Sequence, residues 1–284
     1  MQFSLAQDIS TLQKHLMVLA AENKRVALVP TMGALHAGHV TLIEVAKQMA
    51  DAVVVSIFVN PTQFGHNEDF DKYPRMLDAD INVAHDAGAA LVYAPSVADM
   101  YPEGFSTSVS AGELGNILCG TSRPGHFDGV ATVVMKLLLR VLPQTAVFGE
   151  KDFQQLAVIR RMVIDMDMPI NILGVATVRE SDGLAMSSRN AYLSHEERAV
   201  APELYKILQG VGNDISSKMI MCEEALQRGK KELNAAGFNV DYLELRNANS
   251  LAPVVSYTGQ PCRLFAAVWL GKTRLIDNIP LGQV

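Results

Sequence analysis

The segment Ala52–Val59, AVVVSIFV, constrains the fold more than any other stretch of the chain. A strand with one face in water alternates apolar and polar residues. A run this continuous and this rich in valine must be covered on both faces. Helices packed on the two sides of a parallel sheet give that cover. The neighbouring segments agree. Arg25–Pro30 (RVALVP) reads as a short apolar strand, and His39–Ala50 spaces Leu42, Ile43, Val45, Ala46 and Met49 as a helix does. Asp78–Ala87 then reads as helix, Ala90–Ala94 as strand and Ala131–Leu142 as helix. Thr145–Phe148 reads as strand, Asp152–Met166 as helix and Ile170–Gly174 as strand. Alternation of this length predicts an α/β fold with a parallel sheet and right-handed crossovers.

Beyond Val175 the pattern changes to α+β. His195–Gln209 and Met221–Gly237 read as amphipathic helices, and Val240–Arg246, Arg263–Leu270 and Arg274–Asp277 as strands. Gly271-Lys272 between the last two predicts a tight hairpin turn. Two domains are therefore expected, 1–175 and 176–284. A length of 284 residues agrees, at roughly 150 residues per domain. Lys and Arg number 24 against 30 Asp and Glu, a net charge of −6, which argues against a nucleic-acid binder. Cys119, Cys222 and Cys262 form no C-x-x-C pair, so a disulfide framework or cysteine zinc site is not expected and a reducing compartment fits. The start MQFSLAQDIS lacks a signal-peptide pattern, and no stretch reaches the roughly 20 apolar residues of a membrane span. A soluble cytoplasmic protein is expected.

Four segments carry chemistry. The first, Pro30–His39 (PTMGALHAGH), follows a strand and precedes a helix. Ligands of open parallel sheets bind at the carboxyl ends of strands. Gly33 and Gly38 let backbone approach a ligand closely. The helix start at His39 offers free N–H groups and a partial positive charge, a phosphate site to which His36 and His39 can both donate. A glycine turn with two surface histidines is the plain alternative, and a metal site lacks a third ligand nearby. No G-x-G-x-x-G fingerprint or P-loop occurs. The second segment, Phe148–Gln155 (FGEKDFQQ), again joins strand to helix. Lys151 can neutralise phosphate, Asp152 can accept from a ribose hydroxyl and Gln155 can bind a polar substrate. The alternative is a capped helix with solvated charges. The third, Asp182–Asn190 (DGLAMSSRN), sets two hydroxyls beside a guanidinium, a set that wraps phosphate oxygens on a loop able to close. A polar linker with a helix cap is its alternative. The fourth, Asn60–Phe64 (NPTQF), places Asn60 and Gln63 after the buried strand, and Arg123–Gly129 (RPGHFDG) is read as a further loop carrying Arg123 and His126. An Asn-Pro turn is common, so the fourth segment is a weak signal alone, and the 123–129 loop is equally well read as a structural turn ahead of the following helix.

The H-x-G-H element resembles the signature of the nucleotidylyltransferase superfamily, and DGLAMSSRN its KMSKS-type loop. Taken together, VPTMGALHAGH, SIFVNPTQF, SRPGHFDGV, FGEKDFQQL, DGLAMSSRN and TRLIDN resemble the pantoate–β-alanine ligase (pantothenate synthetase) family. The motifs run from Val29 to Asn278 and none is broken. The resemblance implies a Rossmann-like N-terminal domain with a small α+β C-terminal domain covering the site, in a homodimer joined through the N-terminal domain. It implies condensation of pantoate and β-alanine to pantothenate through a pantoyl adenylate, with ATP split to AMP and pyrophosphate. ATP contacts carry over to Met32, Gly33, Ala34, Leu35, His36, Ala37, Gly38 and His39. They continue at Gly149, Glu150, Lys151 and Asp152, at Val178, and at Met186, Ser187, Ser188 and Arg189. Gln63 and Gln155 carry over as pantoate contacts, Gln63 also serving β-alanine. His39 is the catalytic residue by resemblance, with His36, Lys151 and Arg189 assisting. Mg²⁺ accompanies ATP and has no direct protein ligand.

Two competing readings remain at this level. A plain nucleotidylyltransferase would yield a nucleotide-containing product. An ATP-binding regulatory module would not need His36, His39, Lys151 and Arg189 together. No membrane or nucleic-acid partner is expected.

Overall fold

The computed structural model describes residues 3–65, 68–218 and 220–282. The chain divides into two compact units, Met1–Glu150 with Gln155–Ala176, and Lys151–Gln154 with Thr177–Val284. The first unit holds six strands: β1 (Ser4–Ala6), β2 (Val26–Thr31), β3 (Ala52–Ile57), β4 (Leu91–Tyr93), β5 (Thr145–Gly149) and β6 (Asn171–Val175). They form one sheet in the order β1-β4-β3-β2-β5-β6, every pair parallel. Its helices are α1 (Ile9–Ala21), α2 (Ala37–Met49), α3 (Leu77–Asp86), α4 (Val97–Met100), α5 (Cys119–Ser122), α6 (His126–Val141) and most of α7 (Phe153–Asp165).

β3 is buried along its whole length between β2 and β4. Val53 and Val55 join Ala27, Val29, Val92 and Val147 in a core closed by Leu42, Ile43 and Ala46 of α2. The apolar run 52–58 is thus buried in the sheet interior, with Val59 half-buried at its end. Strand order reverses at β2, which pairs with β3 on one side and β5 on the other. The turns after β2 and β5 flank this switch point, where open α/β sheets bind their ligands.

The second unit carries α8 (His195–Val200), α9 (Glu203–Ser217), α10 (Cys222–Ala235) and strands β7 (Asn239–Asn247), β8 (Cys262–Leu270) and β9 (Thr273–Leu281). The strands make an antiparallel sheet in the order β7-β8-β9. Leu204, Leu208, Val211, Leu233, Leu243, Leu264 and Val268 lie in its core. The hairpin at Gly271-Lys272 is present, with Leu270 paired to Thr273 and Gly271 at φ +55°.

Several boundaries differ from the sequence reading, each for a physical reason. The single helix expected over 195–209 is two, because Pro202 lacks the N–H that would continue the ladder; α9 then runs on to Ser217. The last strand extends beyond Asp277 through Pro280, which an edge strand tolerates. α6 begins at His126, so half of the expected loop 123–129 is its first turn. Gly125, at φ +77°, turns the chain into it. β1 and α1 went unassigned in the sequence.

A largely buried network ties β4, α4, α6 and α1 of the first unit together. The Tyr93 hydroxyl donates to Asp99 Oδ2 at 2.9 Å and accepts from Arg140, while Arg140 also donates to the Asp99 backbone carbonyl at 2.7 Å. Asp99 Oδ1 accepts from the first amide of α1, Ile9 N, at 3.2 Å. Burial, aided by the bond to Asp99 and opposed by Arg140, pushes the Tyr93 phenol up to about 12. The folded value lies above the ordinary tyrosine value. The associated stability is therefore full below pH ~10 and lost as pH rises toward the folded value. Stability measured by denaturant titration is expected to decline across that alkaline window. Tyr93→Phe is expected to lower neutral stability by about 1–2 kcal/mol and to flatten the decline.

Candidate active site

The turn after β2 is built from unusual backbone. Gly33 has φ +84° and Ala34 φ +51°. Gly33 N donates to Thr31 Oγ1 at 3.3 Å, and the Ala34 and Leu35 amides donate to the two carboxylate oxygens of Asp80 at 2.9 and 2.7 Å. The chain then enters α2 with His36 as N-cap, so the helix starts at Ala37, two residues before the expected start at His39. Here the two histidines do something the sequence did not reveal. His36 Nδ1 accepts from Gly38 N at 3.2 Å, and His39 Nδ1 accepts from His36 N at 3.2 Å. This is a capping box written with imidazoles instead of hydroxyl and carboxylate. The His39 amide donates to the His36 carbonyl at 2.8 Å.

The expectation of free amides at this helix start is therefore corrected. The amides of His36, Gly38 and His39 are bonded within the turn, because the rings fold back onto it. A ring nitrogen that accepts carries no proton, so each neutral ring has its proton on Nε2. The rings lie 4.2 Å apart between centroids, tilted by 45°, and both are half-buried. The turn thus fixes the orientation of both rings through Nδ1 and places each ring proton on Nε2.

The NPTQF turn after β3 is held as firmly. Asn60, 1% exposed, donates to Gln63 Oε1 and to the Gly129 carbonyl, both at 3.1 Å, and accepts from Tyr101 Oη at 2.7 Å. Gln63 Nε2 donates to Met32 Sδ at 2.9 Å, joining this turn to the first motif. Arg123 and His126 grip the same residue from outside. His126 Nε2 accepts from Arg123 at 2.9 Å, so its Nδ1–H donates to the Gln63 carbonyl at 2.7 Å. Arg123 pairs with Glu68 at 2.5 Å. Burial pushes the Glu68 carboxyl up, but the Arg123 bond and charge more than reverse this and hold it below the usual range. Arg123 and His126 are thus supports of Gln63.

Gly149 ends β5 and Glu150 follows it in the first unit, both half-buried. Gln155 is also half-buried, whereas its neighbour Gln154 is buried. Lys151 and Asp152 belong to the second unit. There the Lys151 carbonyl accepts from Asn278 Nδ2 at 2.9 Å. Asn278 Oδ1 in turn accepts from Arg263 at 2.5 Å, and the Arg263 guanidinium stacks 3.8 Å over Phe153. The TRLIDN strand thereby supports the GEKD turn. Lys151 is half-buried and Asp152 exposed.

DGLAMSSRN is neither a plain linker nor a slack loop. Met186 N donates to Val178 O at 3.0 Å and Glu180 N to Leu184 O at 2.8 Å, a short hairpin whose Leu184 and Ala185 are buried. Arg198 clamps it through Glu180 and Asp182 at 2.6 and 2.7 Å. Arg179 binds Asp277 with both arms at 2.6 and 2.9 Å and lies 3.6 Å over the Tyr205 ring. Ser187 caps the turn that follows by accepting from Arg189 N at 3.3 Å. Val178, Met186, Ser188 and Arg189 are half-buried.

Asp80, Tyr101, Glu68 and Arg263 are contributors the sequence reading missed. Nothing in their local sequence marks them, since each acts on a turn distant along the chain. Gly129 stood in the sequence reading as the last residue of the expected loop 123–129, whereas it lies within the first turn of α6. A Cβ on Gly129 would stand 2.3 Å from the Thr62 carbonyl oxygen.

A parallel sheet with oriented imidazole donors and an anchored amide at the ends of its strands places the chain in the α/β class of ligand-binding enzymes. Comparison with known proteins narrows this. A model of the Pantoate-beta-alanine ligase family matches residues 4–280. A pantothenate synthetase of Rhodospirillum rubrum is 54% identical over 276 residues, 97% of this chain and 98% of the relative. One of Pseudomonas putida is 55% identical over 262 residues, 92% and 91% of the two chains. A Thermus thermophilus pantothenate synthetase crystal structure superposes with TM-score 0.93 at 44% identity, covering 99% of this chain and 100% of that one. A Francisella tularensis pantoate-beta-alanine ligase, complexed with beta-gamma ATP and beta-alanine, gives 0.81 at 35% identity, covering 98% and 97%. The chain belongs to the pantoate–β-alanine ligase family, and it is a ligase that forms a carbon–nitrogen bond.

The close approach at Gly129 generates a test. Gly129→Ala is expected to push back the Thr62–Gln63 backbone and to cost about 1–3 kcal/mol in denaturant titration. The Thr62 and Gln63 amide resonances should shift with it.

Proposed function

We infer that this chain joins pantoate to β-alanine with ATP, and that it does so through a pantoyl adenylate, releasing AMP and pyrophosphate. Family membership supports the overall reaction. The observation that supports the adenylation step is the pair of His36 and His39 rings, held through Nδ1 in the turn after β2, with the proton of each on Nε2.

The chemistry fits the residue types. The pantoate carboxylate is ionised at neutral pH and needs no base. Its oxygen attacks the α-phosphorus, a new O–P bond forms, and the bond to the β-phosphate bridging oxygen breaks as pyrophosphate leaves. The protein's task is positioning and charge stabilisation. In this reading ATP contacts are made by residues 32–39, Gly149, Glu150, Lys151, Asp152, Val178 and residues 186–189. His36 and His39 donate to phosphate oxygens, and Lys151 and Arg189 supply the cationic charge. Two neutral donors suit a transition state whose charge shifts, while the fixed cations carry the bulk neutralisation. Gln63 and Gln155 bind pantoate, and Gln63 also meets β-alanine. Its side chain is already held by Asn60 and Met32, so little freedom is lost on binding. In the second step the β-alanine nitrogen attacks the acyl carbon, the C–N bond forms, AMP leaves, and the amine proton passes to substrate phosphate or water.

Among the described residues no group of three or more His, Cys, Asp and Glu gathers to hold a metal. In this proposal Mg²⁺ accompanies ATP on its phosphates, where it would offset their charge. We also propose that residues 1–175 form the ATP- and pantoate-binding domain and 176–284 a smaller domain contributing the 186–189 loop. The protein is proposed to act in the cytoplasm as a homodimer. Among the described residues no helix is long and apolar enough to cross a membrane.

Two measurements test these points. Pantoate-dependent exchange of pyrophosphate into ATP is expected without β-alanine, and His39→Ala is expected to slow it by about 10²–10³, or 2.7–4 kcal/mol, with the thermal melt lowered by no more than the few degrees that losing one cap bond costs. Exchange that requires β-alanine, or a wild-type rate in His39→Ala, would contradict the adenylate or the role of the ring. Light scattering at micromolar concentration is expected to give twice the chain mass of 30.8 kDa. A single-chain mass would reject the dimer.

A further inference from the structure

We propose that Asp80 is a positioning residue for the reaction: its carboxylate fixes the left-handed turn Gly33–Leu35 and so sets where the His36 and His39 rings stand. The proposal rests on the reading of those rings as phosphate donors. Asp80 lies on α3, far along the chain from the turn, and is 2% exposed. Oδ2 accepts from Ala34 N at 2.9 Å and Oδ1 from Leu35 N at 2.7 Å. Bonds to an ionised acceptor are shorter and roughly twice as strong as neutral ones.

The backbone they hold does not hold itself. Ala34 sits at φ +51°, a region that residues with a Cβ adopt only when their surroundings impose it. Gly33 sits at φ +84°, and a Cβ there would stand 2.8 Å from Asp80 Oδ2. Gly33 is thus glycine both for its dihedral and for the closeness of the carboxylate. Asp80 also occupies the two amides that a turn of this shape would otherwise offer to an anion. The pair of rings at the start of α2 follows directly on this turn. One residue beyond Leu35, His36 begins the cap. A turn that relaxes carries the cap and both Nε2 atoms with it, and a displacement of about 1 Å costs on the order of 10²-fold in rate.

Asp80→Asn keeps the shape but turns one acceptor into an NH₂ donor facing a backbone N–H. Its kcat for pantoate-dependent pyrophosphate exchange is expected to fall by about 10²-fold, with the KM for β-alanine in the full reaction unchanged. The Ala34 and Leu35 amide hydrogens should exchange faster with solvent, while those of β7–β9 keep their protection. Asp80→Ala should move each quantity the same way and further. Wild-type kcat together with wild-type protection at Ala34 and Leu35 overturns the proposal. So does a loss of kcat that merely follows the fraction unfolded in a thermal melt. His39→Ala, measured in parallel, separates the two readings. If it is impaired while Asp80→Asn is normal, Asp80 has no positioning role and the ring assignment stands. If His39→Ala is fully active, the ring assignment fails, and faster exchange at Ala34 and Leu35 with lowered kcat in Asp80→Asn still upholds the hold of Asp80 on the turn.

Discussion

Between β2 and α2 the backbone must leave a buried strand, pass through two residues of positive φ and start a helix, all within a few residues. Each amide on that path needs a partner, because orphaned N–H groups in a half-buried turn cost about 1–3 kcal/mol apiece. Asp80 takes two of them and the imidazoles of His36 and His39 take two more. The rings that satisfy this backbone through Nδ1 carry their protons on Nε2, the atoms to which the proposed chemistry assigns the phosphate contacts. Conformation and reactivity are in this way one problem with one solution. The choice of histidine follows from it, since a serine or glutamate could close the same capping box but would present no N–H beyond it.

The same logic recurs in the other turns. Gln63 is clasped by Asn60 and Met32 through its side chain and by His126 through its carbonyl. The Lys151 carbonyl is held by Asn278, itself fixed by Arg263, and the 178–186 hairpin is clamped by Arg198. Each turn that bears a proposed ligand contact is thus fastened by side chains from elsewhere in its own unit. Rigid support of this kind suits the narrow geometry that the proposed in-line adenylation would demand.

Much of this was legible in the sequence. The continuous valines of 52–59 declared a doubly covered strand, and the helical spacing around it declared the parallel sheet. The H-x-G-H turn, the GEKD turn and DGLAMSSRN were found because their glycines and charges sit next to one another in the chain. What was not legible acts across distance. Asp80 looks like any acidic residue in the first turn of a helix, and Arg263 like any strand cation. Gly129 misled the helix boundary, since glycine opposes helix by about 1 kcal/mol unless packing demands it, and here the Thr62 carbonyl demands it. Pro202 and Pro280 show the converse: one breaks a helix whose periodicity runs on, and the other ends no strand because its strand is an edge.

The central claim is that the fold sets the ring protonation of its two motif histidines. Nitrogen-15 NMR of the imidazole rings, at a pH where they are neutral, tests it directly. His36 and His39 should show the proton on Nε2 and a bare Nδ1. His126, which donates through Nδ1, should show the opposite pattern in the same spectrum. A proton on Nδ1 of either His36 or His39 would contradict the account, because that nitrogen could no longer cap the helix.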